Sequence, residues 1–138
     1  RHRLTVQMPK SVNVLADEHS IRMIIENLIS NAVKYTHENG KIEVRVQRGL
    51  QEVKVSVRDT GVGIAKKDEA LLFKQFSRVP NELSGEVNGS GIGLYLAQQL
   101  AQRNKGHISV ESEPGVGSVF TLHMPTKSVR KFTKKDKK

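Results

Sequence analysis

The sequence predicts an α+β fold in which one layer of strands carries helices on one of its faces. Three observations support this. Ile21, Ile24, Ile25, Leu28, Ile29 and Ala32 recur at helical spacing and make one apolar stripe. Ile42, Val44 and Val46, then Val53, Val55 and Val57, alternate with polar residues at the period of half-buried strands. Two further strand-like stretches, 108–112 and 118–124, end the folded part and are joined by Pro114-Gly115-Val116-Gly117.

Residues 4–8 alternate loosely up to Pro9 and read as a short strand, and 12–16 as a second. Asp17 is a good N-cap for the long helix. That helix fades near Thr36, and Asn39-Gly40 marks a turn. Gly49 and its neighbours join the two valine-rich strands. Asp59-Thr60-Gly61-Val62-Gly63 suits neither strand nor helix. Residues 67–76 read as helical. The polar stretch 80–90 is too long for a tight turn, and such loops in compact domains are more often functional than accidental. Gly89-Ser90-Gly91-Ile92-Gly93 opens a last helix, 94–104.

The 138 residues fit one domain. Apolar residues make up 36%, and the 11 glycines bring the total close to the globular norm of about 45%. With no Cys, disulfides, thiolate-zinc sites, iron–sulfur clusters and a cysteine nucleophile are excluded. No run approaches the ~18 apolar residues of a membrane helix. The first residue is Arg, so the chain is expected to be part of something longer, with any membrane segment elsewhere. Of the net charge of +9, residues 127–138 hold +6, seven basic residues against Asp136, which leaves +3 for the rest. The expectation is a domain over 1–125 and a basic, disordered tail over 126–138, with no nucleic-acid partner.

Three elements carry chemistry. Asn27 and Asn31 lie four residues apart, hence on one helix face beside the apolar stripe. Such amides suit a phosphate chain and a hard cation, or are plain surface amides. Asp59 ends a strand and is followed by Gly61 and Gly63. A carboxylate there accepts a hydrogen bond from the adenine amine and repels the guanine keto oxygen. The glycines let backbone approach a ligand closely. An ordinary Asp-Thr-Gly turn is the alternative. Gly89, Gly91 and Gly93 precede a helix whose N-terminal N–H groups favour phosphate. No preceding strand makes a dinucleotide fingerprint of them, and there is no P-loop.

Taken together, these motifs resemble the ATP-binding catalytic domain of sensor histidine kinases, within the gyrase, chaperone, histidine kinase and mismatch-repair ATPase superfamily. The stretch 26–36, Glu-Asn-Leu-Ile-Ser-Asn-Ala-Val-Lys-Tyr-Thr, resembles that family's Asn box. Residues 59–64 resemble its first glycine box, 72–78 its Phe box, 89–94 its second glycine box and 112–121 its last hairpin. The resemblance implies a two-layer sandwich with a mixed, mostly antiparallel sheet of about five strands and three helices on one face. It further implies ATP and Mg2+ as cofactors, with Asn31 as metal ligand and Asn27 on the phosphates or the metal. Lys34 and Tyr35 would line the phosphate side, and Arg78 would reach toward the phosphates or a partner helix. The catalytic roles would fall to Asn27, Lys34 and Arg78. Asp59 would bind the adenine amine above Gly61, Gly63 and Ile64. Gly89, Ser90, Gly91, Gly93 and Leu94 would close the phosphate side, and Thr121 would approach adenine through water. Residues 66–88 would form a lid docked by Phe73 and Phe76, for which core packing is the alternative.

In hydrolysing relatives the residue four before the metal-binding Asn is a Glu that activates water. Here it is Asn27, and Glu26 is rotated about 100° away. No carboxylate is therefore placed to deprotonate water, which favours transfer to a nucleophile. His2, His19, His37, His107 and His123 all lack the acceptor context of the family. The expected partners are thus a phosphoacceptor-His dimerisation domain upstream and a response regulator receiver domain. The chain is expected to be monomeric, cytoplasmic and unable to phosphorylate itself. An ATPase or clamp module, or a sigma-factor-inhibiting serine kinase of the same superfamily, is the runner-up.

Overall fold

The computed structural model describes residues 3–7, 16–74 and 93–126. Its elements are β1 (Arg3–Gln7), α1 (Glu18–Lys34), β2 (Lys41–Arg48), β3 (Glu52–Asp59), α2 (Lys66–Glu69), α3 (Gly93–Arg103), β4 (His107–Glu113) and β5 (Gly117–Pro125). The strands form one sheet in the order β1-β2-β3-β5-β4. β1 runs parallel to β2, and the other three pairs are antiparallel. This is the mixed, mostly antiparallel two-layer sandwich expected.

Alternation along the strands decides which face is covered. In β3, Val53, Val55, Val57 and Asp59 are buried, while Lys54 and Arg58 are exposed on the other face. In β5, Phe120, Leu122 and Met124 turn the same way. They pack with Ile24 and Leu28 of α1 and Ala97 and Ala101 of α3 into one core. The two alanines are fully buried, and their small side chains let α3 lie close against α1. Leu4 and Val6 pair with Ile42 and Val44. They sit on the edge strand and keep 54% and 56% of their surface exposed.

α1 starts where Asp17 Oδ2 accepts from Ser20 N and Ser20 Oγ, both at 2.9 Å. It stops where the Tyr35 N–H returns to the Asn31 carbonyl. Asn104 joins the two long helices: its Oδ1 accepts from Asp17 N (2.9 Å) and its Nδ2 donates to Leu100 O (2.8 Å). Gln98 of α3 clamps edge strand β4. Its Nε2 donates to Ile108 O (3.1 Å) and its Oε1 accepts from Ile108 N (2.8 Å).

The helix expected over 67–76 is a correction. Among the described residues of that stretch, helical structure is confined to Lys66–Glu69, with no side-chain bond at the Ala65 N-cap. The N–H groups of Leu71, Leu72 and Lys74 then reach back only three residues, to Asp68, Glu69 and Leu71. An uncapped turn gains too little to repay nucleation, and packing takes over: Leu72 is buried and Phe73 meets Phe120 edge-on at 6.4 Å. Just past β5, Thr126 is tied to the β2–β3 turn. Thr126 N donates to Gln51 O (3.1 Å) and Thr126 Oγ1 to Leu50 O (3.0 Å). Of the strand expected over 12–16, only Ala16 is described, in a bend. The rest of that stretch, lid residues 75–88 and tail residues 127–138 lie outside the described residues.

Candidate nucleotide-binding site

One row crosses the covered face at the end of the sheet. Ile42 pairs with Asp59, Asp59 with Ser118, and Ser118 with Ser112. Asp59 and Ser118 are 5% and 6% exposed. A carboxylate is seldom buried this deeply. Burial pushes its pKa above the ordinary 3.8, while the N–H groups of Gly61 and Ser118 pull in the opposite direction. Asp59 Oδ1 accepts from Gly61 N at 2.8 Å.

The loop that follows is sewn down on three sides. Val62 N donates to Tyr35 O (3.1 Å), Gly115 N to Val62 O (2.8 Å) and Ile64 N to Ser112 Oγ (2.7 Å). The end of α1, the first glycine loop and the β4–β5 hairpin thus form one unit. Glycine is required at two points. A Cβ on Gly61 would strike Tyr35 O and lie 2.8 Å from Asp59 Oδ1. Gly63 has φ +75°, and its Cβ would meet Glu113 O.

Asn27 and Asn31 share one face of α1, both half-buried. Asn27 Nδ2 donates to Met23 O at 2.9 Å, which turns Oδ1 toward α3. A Cβ on Gly93 would lie 2.9 Å from that oxygen. The bare backbone of Gly93 therefore lets the start of α3 sit against Asn27. Lys34 is exposed in the last turn of α1. Tyr35 contributes its main chain to the glycine loop. Ile64 and Leu94, both partly buried, pack against the core.

The structure thus brings together Asn27, Asn31, Tyr35, Asp59, Gly61, Gly63, Ile64, Gly93 and Leu94. Arg78, Phe76, Gly89, Ser90 and Gly91 lie outside the described residues. Thr121 is a correction. It pairs with Ser56, with the two hydroxyls 3.3 Å apart. Ser56 points to the uncovered face of the sheet, opposite to Asp59. Ser118, not Thr121, stands beside Asp59 on the covered face, and Ser112 pairs with Ser118. The alternation Phe120, Leu122, Met124, run two residues back, marks Ser118 as facing inward. For Phe73, core packing holds.

Among the described residues, no group of His, Asp and Glu is arranged to hold a metal. The side-chain oxygens that Asn27 and Asn31 offer on their face of α1 belong to amides. His19, His37 and His107 are exposed. His123 lies on the uncovered face, 2.8 Å from Ser109 Oγ and stacked on His107 at 4.4 Å. His2 lies outside the described residues.

The family model for histidine kinase-, DNA gyrase B-, and HSP90-like ATPases matches residues 16–128. The circadian input-output histidine kinase CikA of Synechococcus elongatus is 38% identical over 127 residues, 91% of this chain and 17% of that protein. The signal transduction histidine-protein kinase BarA of Escherichia coli is 38% identical over 128 residues, 88% of this chain and 14% of that protein. The chain therefore spans less than a fifth of the length of either relative. The catalytic domain of histidine kinase ThkA superposes with a TM-score of 0.78 at 26% identity, covering 91% of this chain and 80% of that one. Full-length ShkA in complex with AMPPNP gives 0.77 at 29% identity, covering 90% and 25%.

Proposed function

Because the chain belongs to the histidine kinase-, DNA gyrase B- and HSP90-like ATPase family, as the ATP-binding catalytic domain of a histidine kinase, we propose that it holds Mg-ATP between α1, the 60–65 loop and the start of α3. It presents the γ-phosphate to a histidine on a helical dimerisation domain upstream. The observation that carries this is the buried Asp59 carboxylate, pinned by Gly61 N. The glycine loop that follows it is bonded through Val62 N to Tyr35 O, at the end of the helix that bears Asn27 and Asn31. One end of the site reads a base and the other suits phosphates.

Asp59 accepts from the adenine amine and opposes the keto oxygen of guanine. Asn31 ligates Mg2+ and Asn27 contacts the phosphates or the metal. The donor set fits a hard cation, since amide oxygens with phosphates and water are what magnesium takes. Asn27 satisfies that set, because its Nδ2 is committed to Met23 O and its oxygen is left to face the site. Bound there, Mg2+ would neutralise phosphate charge. Lys34, and Arg78 beyond the described residues, add positive charge on the phosphate side. Tyr35 fixes the loop through its carbonyl.

Transfer rather than hydrolysis follows from Asn27 in place of a carboxylate and from the exposed position of Glu26 on α1. A neutral imidazole needs alignment and charge neutralisation more than a general base. The response regulator receiver domain then takes the phosphoryl group, in the cytoplasm. Nucleotide titration with ATP, ADP and GTP, with and without Mg2+, tests the site. ATP should be preferred over GTP, and Asn31→Ala should abolish the Mg2+ dependence. Adding the dimerisation domain in trans should yield acid-labile phosphohistidine. Rapid phosphate release by the chain alone would favour the hydrolase reading instead.

A further inference from the structure

Ser112 lies two strands from Asp59 and has three polar neighbours. Its Oγ is 2.7 Å from Ile64 N, 2.7 Å from Ser118 Oγ and 3.1 Å from Gly117 O. A serine hydroxyl has one hydrogen to give and two lone pairs to fill. The N–H of Ile64 must donate to it. The hydrogen of Ser112 then goes either to the Gly117 carbonyl or to Ser118 Oγ. The first choice pairs all four groups: Ser112 donates to Gly117 O and accepts from both Ile64 N–H and Ser118 O–H. The proton of Ser118 is thereby directed away from Asp59, leaving only its lone pairs to offer.

We propose that Ser112 is a positioning residue for base selection, which holds Ser118 as a hydrogen-bond acceptor beside Asp59 and fixes the Ile64 end of the glycine loop. This rests on the nucleotide reading above and deepens it. With Ser118 oriented this way, the row presents two acceptors in register, the Asp59 carboxylate and the Ser118 oxygen. An exocyclic amine, with its two hydrogens, or a water bound between them, matches that pair. A keto oxygen is opposed twice. Without the Ser112 oxygen, Ser118 is free to turn its proton toward the base, and one of the two oppositions to guanine is lost. Ile64 N–H also loses its partner.

The test uses the 138-residue chain, with ATP and GTP titrated against wild type, Ser112→Ala and Ser112→Thr, and with melting followed for each. Wild type should prefer ATP. Ser112→Ala should reduce the ATP-over-GTP ratio roughly three- to tenfold, the worth of one hydrogen bond, while Ser112→Thr, which keeps the hydroxyl, should restore it. Amide exchange at Ile64 should quicken in the alanine variant and not in the threonine variant. A merely structural role would lower melting without altering the ratio. An unchanged ratio in Ser112→Ala, or a ratio in Ser112→Thr as low as in alanine, overturns the inference while leaving the nucleotide site standing. If the alanine variant does not fold, the threonine ratio and Ile64 exchange decide. Wild type that binds neither nucleotide would overturn both the inference and the reading beneath it.

Discussion

Asp59 and Ser118 stand opposite each other where the β3–β5 ladder ends, both buried on the helix-covered face. The pairing places a carboxylate where no cation answers it among the described residues, with only N–H groups for support. Such a group costs stability in the absence of ligand, and the cost is recovered only if a ligand donor meets it.

Its pH dependence follows. The folded pKa of Asp59 is raised, so the stability tied to this group is complete below the ordinary value of 3.8 and is lost as pH rises through the folded pKa. In that window the unfolded chain has released a proton that the folded one keeps. Asp59→Asn should therefore gain on wild type in thermal stability as pH climbs from 3.8 into the neutral range. At Asp17 the sign is reversed. Its pKa is lowered by the bonds from Ser20, so its contribution is present above 3.8 and fades as pH falls through the folded value. Asp17→Ala should be most destabilising near neutrality. Parallel pH–melting curves for the two variants check both signs.

Much of this was legible in the sequence, for physical reasons. α1 carries an N-cap and an apolar stripe, and β2 and β3 alternate cleanly, so their covered faces followed directly. Periodicity also decides which β5 residue shares the face of Asp59: Phe120, Leu122 and Met124 exclude Thr121 from the covered face and admit Ser118. Resemblance, not alternation, had pointed to Thr121. Ser112 was out of reach, because its partner Ile64 lies 48 positions away and register across β3, β5 and β4 is a tertiary fact. The segment 67–76 misled because Leu71, Leu72 and Phe73 are a run, not a period.

Two glycines of the last hairpin should differ in what they tolerate. Gly115 has φ +80° with open space where a Cβ would stand. Gly117 has φ +143°, and its Cβ would strike Asp59 O and lie 3.1 Å from Thr60 Cα. Gly115→Ala should cost about 1 kcal/mol from conformation alone. Gly117→Ala should cost ~3 kcal/mol or more and loosen Asp59 as well. Urea unfolding gives both numbers, and ATP affinity should fall only for the second.

Gln98 gives a prediction about the scaffold alone. Ile108 is buried, and its N–H and C=O face away from β5, where, among the described residues, the Gln98 amide meets them. Gln98→Ala should destabilise by about 2 kcal/mol, since both groups lose their partner. The bared edge of β4 should also make the chain more prone to associate. ATP affinity, measured well below the melting temperature, should be unchanged. A variant that melts like wild type would mean water replaces the clamp at no cost.

Gly93 couples the Asn27 side chain to the packing of α3. Alanine is ordinarily better than glycine in a helix, by up to ~1 kcal/mol. At this position the added Cβ would sit 2.9 Å from Asn27 Oδ1, closer than carbon and oxygen normally approach. The obstacle is a side-chain amide, so the chain can yield by rotating Asn27 and giving up its bond to Met23 O. Stability should therefore change by less than about 1 kcal/mol. The oxygen that faces the site would be displaced, and Mg-dependent ATP affinity should fall about tenfold or more, as one charge-assisted contact is lost. Asn27→Ala should show the same loss, and the double variant should lose no more than either single one, because both act on one oxygen. Additive losses in that cycle would mean that Gly93 serves the nucleotide by a route independent of Asn27.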